Sequence, residues 1–165
     1  MAYISQGKLL LEKGNIMSSA YYKINNFLFK ITYEEKITGI KLVDKKDDKD
    51  KKTPKTDILY QELIGYFKGE LKNFTVDFDL KGSDFQKKVW KELLKIPYGK
   101  TSTYKKISEN LSTKAYRAVG SAIGKNPLVI VIPCHRVIKT DGSIGGFFYG
   151  TKVKKMLLDI EKSKS

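Results

Sequence analysis

The sequence predicts an α+β protein, with a small N-terminal mixed α/β domain over residues 1–80 and a mostly helical C-terminal domain over residues 81–165. Three observations lead there. Apolar residues alternate with a period of two early in the chain, they recur at helical spacing later, and a charged stretch containing Pro54 separates the first strands from the first helix.

Taken in order, residues 27–33 and 37–43 alternate well enough to form a hairpin around Glu34-Glu35-Lys36. Residues 44–55 are almost all charged and read as a flexible surface loop without specific contacts. Ile58, Leu59, Leu63, Ile64 and Phe67 fall at helical spacing before Gly69, while Phe74, Val76, Phe78 and Leu80 alternate like a half-buried strand. Ser83 with Gln86 three positions on is a capping-box signature for a helix bearing Phe85, Val89, Trp90, Leu93 and Leu94, which Pro97-Tyr98-Gly99 ends. Two short helices, 102–110 and 114–124, flank the polar break Leu111-Ser112-Thr113 at helix-turn-helix spacing. The apolar run 128–132 reads as a buried strand leading into residues 133–138. A glycine-bearing loop over 141–150 follows, then an amphipathic helix with Val153, Met156, Leu157 and Ile160. Met17 offers a second start, so residues 1–16 are expected to be an extension without fixed structure.

With 41% hydrophobic residues, a chain of 165 can bury one solid core or a small domain fused to a medium one. No apolar stretch approaches the roughly 20 residues of a membrane span, and residues 1–16 lack a secretory hydrophobic region, so a cytoplasmic protein is expected. Lys and Arg number 32 against 18 acidic residues, and the formal charge of +14 suits a polyanionic partner, although a lysine-rich surface alone gives the same excess. Against that background Arg117 and Arg136 are the two arginines, both in the motif-rich half. One Cys and one His exclude an internal disulfide and leave a tetrahedral zinc site short of ligands, so no metal is expected.

A lone cysteine after an apolar run is ordinarily an inert buried thiol. Here the only His directly follows it, and Pro133-Cys134-His135-Arg136-Val137 brings together a thiol, an imidazole and a guanidinium, cations that favour the reactive thiolate. In a regular strand Cys134 and His135 would point to opposite faces, so their cooperation calls for a turn or a bridging water.

Residues 133–137 together with Phe85-Gln86, Pro97-Tyr98-Gly99-Lys100, Thr103-Tyr104, Arg117-Ala118-Val119-Gly120, Asn126-Pro127 and Gly145-Gly146 resemble the O6-alkylguanine-DNA alkyltransferases, in that family's order over residues 83–161. Residues 20–80 resemble its variable N-terminal domain loosely. The resemblance implies a ribonuclease-H-like N-terminal domain and a winged-helix-like helix-turn-helix. It also implies single-turnover transfer of an alkyl group from O6-alkylguanine in double-stranded DNA to Cys134 after base flipping, by a monomer without a cofactor. O4-alkylthymine stays open as a second substrate.

By position, the resemblance makes Cys134 the nucleophile, His135 its water-linked base and Glu161 the carboxylate that orients the imidazole. Read without it, Glu161 is an ordinary solvated residue near a chain end. Tyr104 matches the phenol that protonates the leaving guanine, and Arg117 the side chain that replaces the extruded base in the stack. The helix 114–124 matches a recognition helix in the minor groove, where Ala115, Ala118, Gly120 and Ser121 supply small side chains and Tyr116 departs from the pattern. Asn126, Val137, Phe147, Phe148 and Tyr149 match the substrate pocket, with Phe148 standing where relatives carry a small polar residue. Two alternatives of other classes are a non-enzymatic alkyltransferase-like damage-binding protein, which typically has Trp for the nucleophile, and a Cys-His hydrolase or redox thiol.

Overall fold

The computed structural model describes residues 16–164. Most of the expected extension, residues 1–15, lies outside the described residues. Strands β1 (Ser18–Ile24), β2 (Phe27–Tyr33) and β3 (Ile37–Val43) form an antiparallel meander in the order β1-β2-β3. The register pairs Ser18 with Tyr33 and Leu28 with Val43, and the predicted hairpin is its β2–β3 half. Helix α1 (Pro54–Phe67) covers the sheet; Thr53 caps it, with a reciprocal bond between the Thr53 and Thr56 pair, and Pro54 occupies the first turn, where a missing N–H costs nothing.

Two expectations in this half need correction. The charged stretch before α1 is not free of specific contacts: Asp47 and Asp48 each pair with Lys30 at 2.8 Å, and Asp50 accepts the backbone N–H of Tyr21 at 3.0 Å. Its carboxylates find the Lys30 ammonium on β2 and the Tyr21 N–H on β1, which ties the loop down. The alternating stretch 74–80 keeps its in-and-out burial but is no regular strand. It meets the sheet through a single parallel bridge, Ile37 to Phe78, too short a pairing to propagate a ladder.

In the second half α2 (Asp84–Leu93) starts at the predicted capping box, with Ser83 Oγ accepting from Gln86 N at 3.1 Å. A two-residue strand β4 (Ser102–Thr103) then leads into α3 (Tyr104–Asn110), which packs against α4 (Tyr116–Gly124). The indole N–H of Trp90 on α2 donates to the Ala122 carbonyl of α4 at 2.8 Å, fixing the helix pair to the core. Strand β5 (Val137–Ile138) pairs with β4 in parallel, and α5 (Thr151–Lys164) closes the chain.

The apolar run 128–132 is not a strand. Ile130 has φ of 75°, a left-handed backbone that a β-branched residue rarely adopts, and Ile132 N bonds back to Leu128 O at 2.9 Å. Uninterrupted apolar residues call for burial in every direction, which a tight reversal provides as well as a strand does; residues 128–132 are all buried. The reversal delivers Cys134–Arg136 as one turn of 3-10 helix. The halves share one hydrophobic core, and β3 is stitched to the cysteine segment by Ile40 N to Pro127 O (2.9 Å) and Val129 N to Ile40 O (3.3 Å). Among the described residues no helix is long and apolar enough to cross a membrane.

Candidate active site

Cys134 lies on the wall of a cavity of about 620 Å³, bordered by Tyr104, Gly120, Asn126, Gly146 and the aromatic run Phe147-Phe148-Tyr149. A cleft of similar size near Pro54 and Val76 has no thiol on its wall, so chemistry rather than volume distinguishes the two. The thiol is 8% exposed. Asn126 holds it: the side-chain amide donates to Sγ at 3.0 Å and to Ile132 O at 2.7 Å, while its carbonyl accepts Leu128 N at 2.9 Å.

The 3-10 turn answers the geometric problem of adjacent residues by rolling His135 beneath Cys134 and into the core, at 0% exposure. Its Nε2 pairs with Glu161 Oε2. Glu161 comes from α5, on the inward stripe Lys154, Leu157, Glu161. Four donors surround the carboxylate: His135 Nε2 and the Tyr66 hydroxyl (2.6 Å) at Oε2, and Arg136 Nε (2.6 Å) and Gly99 N (3.1 Å) at Oε1. Burial works to raise its pKa, but His135, Arg136 and Tyr66 outweigh that and the carboxyl titrates at about 2. An ionised Glu161 can only accept, so the shared proton belongs to His135 Nε2. Nδ1 therefore carries the lone pair, and it has no protein partner among the described residues.

The sequence grouped Arg136 with the thiol as an activating cation; the structure corrects this. Arg136 turns to Glu161 and to the Ile96 carbonyl at 2.6 Å. The cation whose charge reaches Cys134 is Lys154, fully buried and donating to Val137 O at 2.6 Å and Gly146 O at 3.1 Å. Burial lowers its pKa to about 8. Nor is the resting thiol acidic: burial raises it above its ordinary value, against the opposing pull of Asn126 and Lys154. Burial likewise pushes the His135 imidazole down, against the pull of Glu161. The site rests as a neutral thiol and a neutral imidazole.

The remaining expected residues divide by place. Tyr104 borders the cavity, its phenol raised by burial and then by the charge of Cys134. Gly145, at φ 75°, lies against Tyr104, so that a Cβ there would stand 3.5 Å from the ring and hydroxyl; this left-handed turn favours glycine. Val137 is fully buried, and its carbonyl, not its side chain, faces this region through Lys154. Ala115, Arg117, Ala118 and Ser121 are exposed along α4, while Gly120 reaches the cavity wall with open space where a Cβ would be. Arg117 stands outside the cavity. Tyr116 and Phe148 are exposed by 53% and 80%. Tyr66 and Lys154 were not expected at the site. The signal for Tyr66 was available, since it completes the stripe Leu59, Leu63, Tyr66 on α1.

Residues 84–163 match the family model described as 6-O-methylguanine DNA methyltransferase, DNA binding domain. A methylated-DNA–protein-cysteine methyltransferase of Mycobacterium bovis is 49% identical over 105 residues; that stretch is 63% of this chain and 64% of the relative, a little under two thirds of its length. The protein of the same name from Methanosarcina acetivorans is 47% identical over 104 residues, 62% of this chain and 67% of its own. The crystal structure of Mycobacterium tuberculosis OGT in complex with DNA superimposes with a TM-score of 0.81 at 35% identity, covering 89% of this chain and 94% of that one.

Proposed function

Because the chain belongs to the methylated-DNA–protein-cysteine methyltransferase family, we propose that it reverses alkylation damage by moving the alkyl group of O6-alkylguanine in duplex DNA onto Cys134, once per molecule. The observation that supports this most is the thiol on the wall of a cavity beside the small-residue face of α4, above an imidazole whose free nitrogen is Nδ1.

The lesion is flipped out of the helix into the cavity, since its O6 substituent is unreachable in the stack. Arg117 fills the gap left behind, its planar guanidinium stacking between bases. His135 Nδ1 takes the thiol proton through a water, and Sγ attacks the alkyl carbon in line. The new S–C bond forms as the C–O6 bond breaks, its electron pair leaving with guanine. Tyr104 protonates the departing ring, and the proton taken from sulfur replaces the one Tyr104 gave. A thioether has no route back, so one turnover consumes the protein. Lys154 and Glu161 remain charged throughout, and no cofactor takes part.

The same reading divides the chain at residue 80 into a ribonuclease-H-like N-terminal domain and a DNA-binding, catalytic domain whose α3–α4 pair is winged-helix-like. The protein works as a monomer in the cytoplasm. Incubation with duplex containing O6-methylguanine should add one methyl mass to the Cys134 peptide and leave guanine in the DNA. Loss of more than one lesion per protein molecule would overturn the reading.

A further inference from the structure

We propose that Tyr66 is a positioning residue for the transfer: by sharing Oε2 of Glu161 with His135, its hydroxyl sets how strongly the imidazole holds a proton. The inference rests on the alkyl-transfer reading above. Tyr66 comes from α1, in the half of the chain that holds neither the thiol nor the recognition helix, and lies 69 and 95 residues from His135 and Glu161 in sequence. It is fully buried, donates to Glu161 Oε2 at 2.6 Å and stands 3.3 Å from His135 Nε2, its ring edge-on to the imidazole.

A core position asks only for an aromatic ring, which phenylalanine would supply. A buried hydroxyl is costly unless it is bonded, and among the described residues this one bonds only the His135–Glu161 pair. Each donor on a carboxylate spreads its charge and weakens its pull on the next proton. With Tyr66 present, Oε2 divides its charge between two donors, the Nε2 proton stays on the ring, and the imidazolium formed on taking the thiol proton is stabilised only moderately. Without the hydroxyl, Oε2 serves His135 alone, the imidazolium gains, and the imidazole pKa rises. The other groups facing this ring are Glu161 and Lys154 on α5, Cys134 and Arg136 on its own turn, and Tyr98 beyond Tyr66; none of them changes in a Tyr66→Phe protein.

The chain has one histidine, so a single set of imidazole resonances reports the site in the full-length protein. In Tyr66→Phe the His135 pKa should move up by about one unit, and transfer from free O6-benzylguanine to Cys134 should slow about tenfold at acidic pH and recover in alkali. An unchanged His135 titration and pH-rate profile would overturn the proposal, even if the overall rate fell. In the wild type, the Tyr66 hydroxyl proton should cross-relax with the Nε2 proton of His135; no such coupling would also count against it. Should wild-type protein take no alkyl group from either free O6-benzylguanine or O6-methylguanine duplex, the transfer reading fails while the titration still decides the role of Tyr66.

Discussion

Beneath Cys134, His135 and Glu161 are 0% and 1% exposed and each oxygen of the carboxylate has two donors; along α4, Ala115, Arg117, Ala118 and Ser121 all face solvent, and the helix starts without a side-chain cap. The first region must satisfy its charges internally, because an unpaired charge in a dry interior is costly. Its geometry is therefore fixed before any substrate arrives. The second leaves donors and small side chains for a partner to meet. Chemistry and recognition should then be separable: damage to the buried cluster should impair reaction with every substrate alike, and damage to α4 should impair only duplex DNA.

The largest expected effect in the buried region comes from Glu161→Gln. Transfer should fall by roughly 10²-fold or more, equally for free O6-benzylguanine and for duplex, because general-base assistance is lost. Chemical denaturation should show a loss of about 3–5 kcal/mol, since Arg136 is left buried without its carboxylate. The carboxyl is held at about 2, below its ordinary 4.5, so wild-type stability from this group is complete above about pH 4.5 and disappears as pH falls toward 2. The variant should lack that acid limb. A duplex-specific defect in Glu161→Gln would break the comparison.

Asn126→Ala comes next. It removes the donor that opposes burial at the thiol, so the Cys134 pKa should climb further above its ordinary 9.0, as read by thiolate absorbance. Transfer near neutrality should slow several-fold and regain most of its rate in alkali. The smallest effect belongs to the surface. Lys125→Gln, at the cavity mouth, should lower the slope of log affinity against log salt by about 1 and leave reaction with the free base untouched.

The two regions also differed in how much of them could be read from sequence. The surface helices were legible, because small residues, a polar break and the Ser83–Gln86 box act locally. The cluster under the thiol was half legible. His135 is adjacent to Cys134, but Glu161 taken by itself reads as solvated, and of the apolar residues that periodicity picked out on α5 Leu157 is buried while Val153, Met156 and Ile160 are only partly so. The inward stripe instead holds Lys154 and Glu161, charged residues that periodicity assigns to solvent. Tyr66 joins from another element, a proximity that exists only after folding. The apolar run 128–132 showed burial without conformation, and the left-handed Ile130 is what converts it into the turn beneath the cavity.

The separation of chemistry from recognition is tested most directly by one ratio, the rate on O6-methylguanine duplex over that on free O6-benzylguanine, in Arg117→Ala and wild type. Arg117 is exposed and outside the cavity, so the account predicts that the variant modifies Cys134 with the free base at the wild-type rate while its duplex rate collapses by about 10²-fold, the scale of a lost stacking and hydrogen-bonding partner. Equal losses on both substrates would contradict it.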